Sequence, residues 1–129
     1  MKKWTVGLLL FACLFAVVSH KAHKNFSIEG ASRATLQSGT TGEKVELTEE
    51  NQLRQLAEAL EGTVFEKGGS SREFSGWEYA VSWYDTAGAL TERVVVHDAA
   101  TISYRHHFWY AVEGSVDTDC LNAFLRAQQ

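Results

Sequence analysis

The chain has 129 residues and a formal charge of −4, with 10 Gly, 2 Cys and no Pro. That length allows one domain and excludes a multidomain enzyme. The composition also excludes a Pro-rich linker, a collagen-like repeat and a disulfide-stapled mini-protein.

The averages hide two pieces. Residues 1–24 hold Lys2, Lys3, Lys21 and Lys24 and no acid, a charge of +4. Residues 25–129 hold 8 basic and 16 acidic residues, a charge of −8. The start reads Met1-Lys2-Lys3, then an uncharged apolar run over 4–18, then Ser19-His20-Lys21. A basic start followed by a short apolar core is the export pattern. As a helix the run spans about 22 Å, short of the roughly 30 Å hydrocarbon core of a bilayer. Two readings stay open: a signal peptide cleaved after Ser19, or an N-terminal membrane anchor through 4–18. Either places 25–129 outside the cytoplasmic membrane as a single domain. Without the leader, Cys120 has no partner within the chain, so the core and not a disulfide holds the fold.

Along the exported part, Phe26 and Ile28 alternate with polar neighbours and predict a short strand. Segments 34–38 and 43–47 flank Gly39-Thr40-Thr41-Gly42 and predict a hairpin with Val45 and Leu47 on one face. Thr48 is the expected N-cap of a helix with Leu53, Leu56, Ala57 and Leu60 as its apolar stripe and Gly62 as its stop. Arg54, Glu58 and Glu61 read as its solvated face. A short strand over 63–66 then gives way to a Gly/Ser loop over 67–75.

Trp77, Tyr79, Val81 and Trp83 alternate along the next predicted strand. Asp85-Thr86-Ala87-Gly88 turns the chain, and 90–97 returns. The pattern pairs Trp83 with Leu90 and Tyr79 with Val94, though a one-residue slip would swap the faces. Strands over 101–104 and 108–112 follow, joined by Arg105-His106-His107. Asp117 or Thr118 caps a last helix with Leu121, Phe124 and Leu125 on one face. The expected fold is α+β: a mainly antiparallel sheet of about six or seven strands in hairpins, with two helices on one face.

Nine of the 15 aromatic residues fall between Phe74 and Tyr110. Core packing and cross-strand pairing account for many of them. Yet Trp83-Tyr84 and Phe108-Trp109-Tyr110 place aromatics at successive strand positions, so one of each set must face away from the core. An aromatic patch on an open sheet face marks a binding surface. The candidate surface is Trp77, Tyr79, Trp83, Tyr84, Trp109 and Tyr110, and its partner an exported protein, a peptide or a glycan. The acidic domain argues against nucleic acid, which needs a positive groove. A second, metal-based reading rests on His97, His106, His107 and Asp98, as a metal-binding domain or metal-dependent hydrolase. No zinc-protease, Cys-pair, nucleophile-elbow or P-loop pattern is present. Non-catalytic binding without a cofactor is therefore the leading expectation.

Three blocks carry a resemblance. They are Thr41-Gly42-Glu43-Lys44-Val45-Glu46-Leu47-Thr48 with its helix, Ser75-Gly76-Trp77 through Trp83-Tyr84-Asp85 and Gly88, and Thr101-Ile102-Ser103-Tyr104 with Phe108-Trp109-Tyr110 and Gly114-Ser115-Val116-Asp117. Over roughly 26–126 the chain resembles an uncharacterised family of small exported or membrane-anchored domains of Gram-positive bacteria. The resemblance implies location and fold. It implies no catalytic residues, and the three histidines lie outside its pattern.

Overall fold

The computed structural model describes residues 22–127. Eight strands form one antiparallel sheet: β1 (His23–Asn25), β2 (Arg33–Ser38), β3 (Lys44–Leu47), β4 (Val64–Ser70), β5 (Tyr79–Tyr84), β6 (Leu90–Asp98), β7 (Thr101–Tyr104) and β8 (His107–Glu113). Helix α1 (Glu50–Glu61) follows β3, and α2 (Thr118–Arg126) closes the chain. The strand order is β1-β4-β8-β7-β6-β5-β2-β3. This is the expected α+β fold. The apolar leader lies outside the described residues. Among those described, no helix is long and apolar enough to cross a membrane.

Strand alternation decides what the helices cover. Ala34 and Leu36, Val45 and Leu47, Tyr79, Val81 and Trp83, Val94 and Val96, and Ile102 and Tyr104 all point to one face. They join Leu56, Leu60, Leu121 and Leu125 of the helices in a single core. The first hairpin closes as expected, with Ser38 N–H donating to the Glu43 carbonyl at 2.8 Å and Gly42 in the left-handed region. Asp117 caps α2, its carboxylate accepting from Cys120 N–H at 3.0 Å.

Several local expectations give way to packing. The short strand expected at Phe26 and Ile28 forms earlier in the chain, as β1, which pairs His23 and Lys24 with Glu66 and Phe65 of β4 and brings the sheet to eight strands. The sheet thus takes in two residues on the leader side of the expected boundary at 24. Phe26 lies just beyond the strand, and its ring makes edge contacts with Phe65 at 5.8 Å and Tyr104 at 5.0 Å. It plugs the core, so 26–29 leaves strand geometry. The cap of α1 is Glu49, with no side-chain bond, and not Thr48. Glu61 is not merely solvated: its carboxylate accepts from Ile28 N–H at 2.9 Å and ties the 26–31 segment to the helix.

The largest revision is β4, which runs on through Lys67-Gly68-Gly69-Ser70 where composition suggests a loop. The Tyr110 ring of β8 lies across Gly68, where an added Cβ would come within 2.3 Å of it. Glycine here makes room for an aromatic neighbour, and cross-strand cover offsets its weak strand propensity. In the β5–β6 hairpin, Tyr79 pairs with Val96 and Val81 with Val94. The register lies two residues from the expected one: Tyr84, not Trp83, pairs with Leu90, and an irregularity between Trp83 and Tyr84 adds one further residue to β6. A two-residue shift preserves parity, so the faces are unchanged.

Candidate functional site

The sheet face opposite the helices carries the other half of each alternation. Tyr84 and Leu90, Ser82 and Arg93, and Ala80 and Val95 pair across β5 and β6. Ser103 pairs with Phe108, and Thr101 with Tyr110, across β7 and β8. Among the described residues, no helix lies on this side. Instead the 71–78 segment crosses one end of it. Ser71 N–H donates to the His106 carbonyl at 2.9 Å, and Glu78 N–H to the Val96 carbonyl at 2.9 Å.

That segment delivers Phe74 to the open face. Its ring meets His97 edge-on at 5.0 Å and Phe108 at 5.4 Å. His97 lies 5.4 Å from Phe108, and Phe108 stacks on Tyr110 at 6.4 Å. These spacings suit favourable aromatic contacts. Phe74, Leu90 and Tyr110 are 57%, 54% and 47% exposed. With Val112, they are the exposed large apolar residues among the described residues. Beside the rings lies a cleft of about 440 Å³, lined among others by Trp77, Leu90, Arg93, Val95, His97 and His106. Its size falls in the range of small-molecule and peptide subsites.

Strand lengths shape the cleft. β6 has nine residues and β7 has four. β7 pairs with β6 at Val95, Val96 and Asp98. Beyond Val95 toward the hairpin, no described strand continues the ladder on that side of Leu90–Arg93. β7 stops there because Arg105 and His106 turn the chain tightly, with φ of 47° and 68°. Two successive positive φ values between the paired Tyr104 and His107 define a type I′ hairpin turn. Neither residue is glycine, so the turn is strained.

The six aromatics expected to form the surface divide. Tyr79 and Trp83 are buried on the helix side and offer no surface. Tyr79 O–H binds the Asn122 side chain, and burial raises its pKa. The parity of these two was readable, but both belong to the covered face. Trp109 is also on the helix side, opposite Ile102, its indole N–H donating to the Tyr104 carbonyl at 3.3 Å. Tyr84 and Tyr110 face the open side. The Arg33 guanidinium caps Tyr84 at 4.0 Å. Trp77 precedes β5, rests on Gly39 and lines the cleft. Residues the sequence reading missed are Phe74, hidden in a Gly/Ser segment, and Phe108, whose alternation with Trp109 was the available signal.

The four metal candidates are not brought together. His97 binds the Ser103 hydroxyl at 2.6 Å on the open face. Burial lowers its pKa, opposed by a Gly76 backbone bond and the charge of Asp98. A neutral ring among Phe74 and Phe108 acts as an aromatic wall. Asp98 caps the β6–β7 turn by accepting from Ala100 N–H at 2.8 Å. His106 occupies the strained turn, and His107, opposite Tyr104, belongs to the helix-side face. Among the described residues, no group of three or more His, Cys, Asp or Glu side chains is placed to hold a metal ion. Cys120 is partly buried at the α1–α2 contact, and burial raises its thiol pKa, which keeps it in the unreactive protonated form.

No known protein family, curated protein or solved structure matches the chain.

Proposed function

We propose that this chain is an exported, non-catalytic binding domain whose open sheet face takes an extended peptide segment of another exported protein. The observation that carries the reading is the gathering of exposed apolar side chains on the uncovered face: Phe74, Leu90 and Tyr110 together with Phe108 and His97. Single exposed apolar residues are ordinary, whereas a contiguous set beside a cleft marks a contact surface.

The unextended edge of β6 favours a peptide over a glycan. A strand laid along Leu90–Arg93 would take up the backbone groups left beyond the β7 ladder. Its alternate side chains would enter the cleft beside Trp77 and His97. This is recognition by strand addition: backbone bonds supply affinity and pockets supply selectivity. The basic, apolar start of the chain supports export. The absence of a catalytic motif supports binding without chemistry.

Panning a random peptide display library on the full chain tests the reading. Expected are enriched peptides of extended, β-branched or aromatic character. Their affinity should fall at least tenfold in Phe108→Ala and change less than twofold in Arg54→Ala, on the far face of α1. Failure to enrich any peptide, or equal affinity for Phe108→Ala and the parent, would overturn it.

A further inference from the structure

The helix-side face has a corner that neither described helix covers, where β1, β4, β8 and β7 run past the 26–31 segment. Alternation brings two lysines and a histidine to it. Lys24 pairs with Phe65, Lys67 with Trp109 and His107 with Tyr104, all toward this face. A cleft of about 380 Å³ is lined by His23, Lys24, Lys67, Arg105 and His107, with Tyr104 and Trp109 as its aromatic walls.

The charge pattern is unusual for this molecule. Residues 22–127 contain nine Lys or Arg and sixteen Asp or Glu. Three of those nine line this one cleft, and none of the sixteen acids does. One ring, Tyr104, carries two of the cations, with Lys24 Nζ at 4.8 Å and the Arg105 guanidinium carbon at 5.1 Å from its centroid. Glu92 accepts from Tyr104 O–H at 2.9 Å and is 4.0 Å from Arg105. Like charges converging on one ring repel unless an anion sits between them.

We propose that this corner is a phosphate-binding site. Two ammonium groups and a guanidinium, delivered from three directions, suit an anion with three or more oxygens better than a planar carboxylate with two. The site opens on the other sheet face from the aromatic cleft and shares with it only Tyr104 and Arg105. A lipid headgroup and a soluble phosphate offer the same chemistry. His23 stands five residues after Val18, the end of the apolar run. A chain of that length reaches about 17 Å at most. An anchored leader would therefore hold the site within reach of bilayer headgroups.

The experiment uses the full chain in dodecyl maltoside micelles, with ionic strength held constant by sodium chloride. Inorganic phosphate is titrated in one arm and phosphatidylglycerol is doped into the micelles in the other. The readout is the NMR signal of the Trp109 indole N–H. The site predicts a saturable shift in at least one arm. Binding should weaken at least tenfold in Lys67→Gln/Arg105→Gln and less than twofold in Arg54→Gln/Arg126→Gln, which removes the same charge elsewhere. A response to lipid alone assigns the source as a headgroup; a response to inorganic phosphate assigns a free anion site. No shift beyond the chloride control in either arm, or equal weakening in both double variants, would overturn the proposal.

Discussion

Replacing Arg105-His106 by Asn-Gly should stabilise the protein while weakening its binding. Both residues sit at positive φ in the β7–β8 turn. The left-handed conformation costs an L-residue roughly 1–2 kcal/mol, and Asn and Gly tolerate it best. Two such positions give a gain of about 2 kcal/mol. Against it stand the contacts of Arg105. Its ion pair to Glu92 is 4.0 Å long and its side chain 76% exposed, so that pair contributes little after solvent screening. Its contact with the Tyr104 ring at 5.1 Å contributes about 0.5 kcal/mol. The extra freedom of glycine in the unfolded chain subtracts about 0.5–1 kcal/mol more. The net is a gain of about 1 kcal/mol, or roughly 4–8 °C in Tm for a domain of this size. Urea unfolding followed by tryptophan fluorescence measures it. Both clefts lose Arg105, so peptide and phosphate affinity should fall together as stability rises. A double variant less stable than the parent would refute the reasoning, because it would mean that the turn is not under strain.

Other substitutions separate backbone from side-chain constraints. At Gly39 an added Cβ would lie 2.1 Å from the Trp77 carbonyl oxygen, whereas at Gly68 the nearest atom belongs to the half-exposed Tyr110 ring. Gly39→Ala should therefore destabilise by about 3 kcal/mol or more and Gly68→Ala by about 1 kcal/mol, the ring swinging aside; comparing their urea midpoints checks the order. Asp117→Ala removes the bond to Cys120 N–H and should cost about 1 kcal/mol, read by thermal unfolding. The folded-state pKa of His97 lies below its ordinary 6.5. Its contribution is therefore full above that value and is lost as pH falls through 6.5 toward the folded pKa, since the unfolded chain then binds the extra proton. His97→Gln should flatten the loss of stability between pH 7.5 and 5.5, measured by urea midpoints across that range.

Turn chemistry and period carried most of the fold. Gly39-Thr40-Thr41-Gly42 and Asp85-Thr86-Ala87-Gly88 fixed two hairpins, because each supplies a residue suited to positive φ. The stripe on α1 and the Asp117 cap were legible for the same local reason. β4 was not, because Lys67-Gly68-Gly69-Ser70 is held in the sheet by Tyr110, more than forty residues away. The aromatic site was half legible. Alternation assigns Tyr79 and Trp83 to one face and Phe108 and Tyr110 to the other, but which face the helices cover depends on where α1 and α2 dock. Phe74 was invisible for a different reason: its role comes from a loop crossing the sheet. The basic corner was hidden as well, since Lys24, Lys67 and Arg105 are scattered in sequence and only strand register assembles them.

Amide hydrogen exchange with a selected peptide, read residue by residue, tests the central claim most directly. Strand addition to the open face predicts new protection along Leu90–Arg93, with shifts at Phe108 and Tyr110 and none along α1. Protection on the helices, with β6 unchanged on binding, would contradict it.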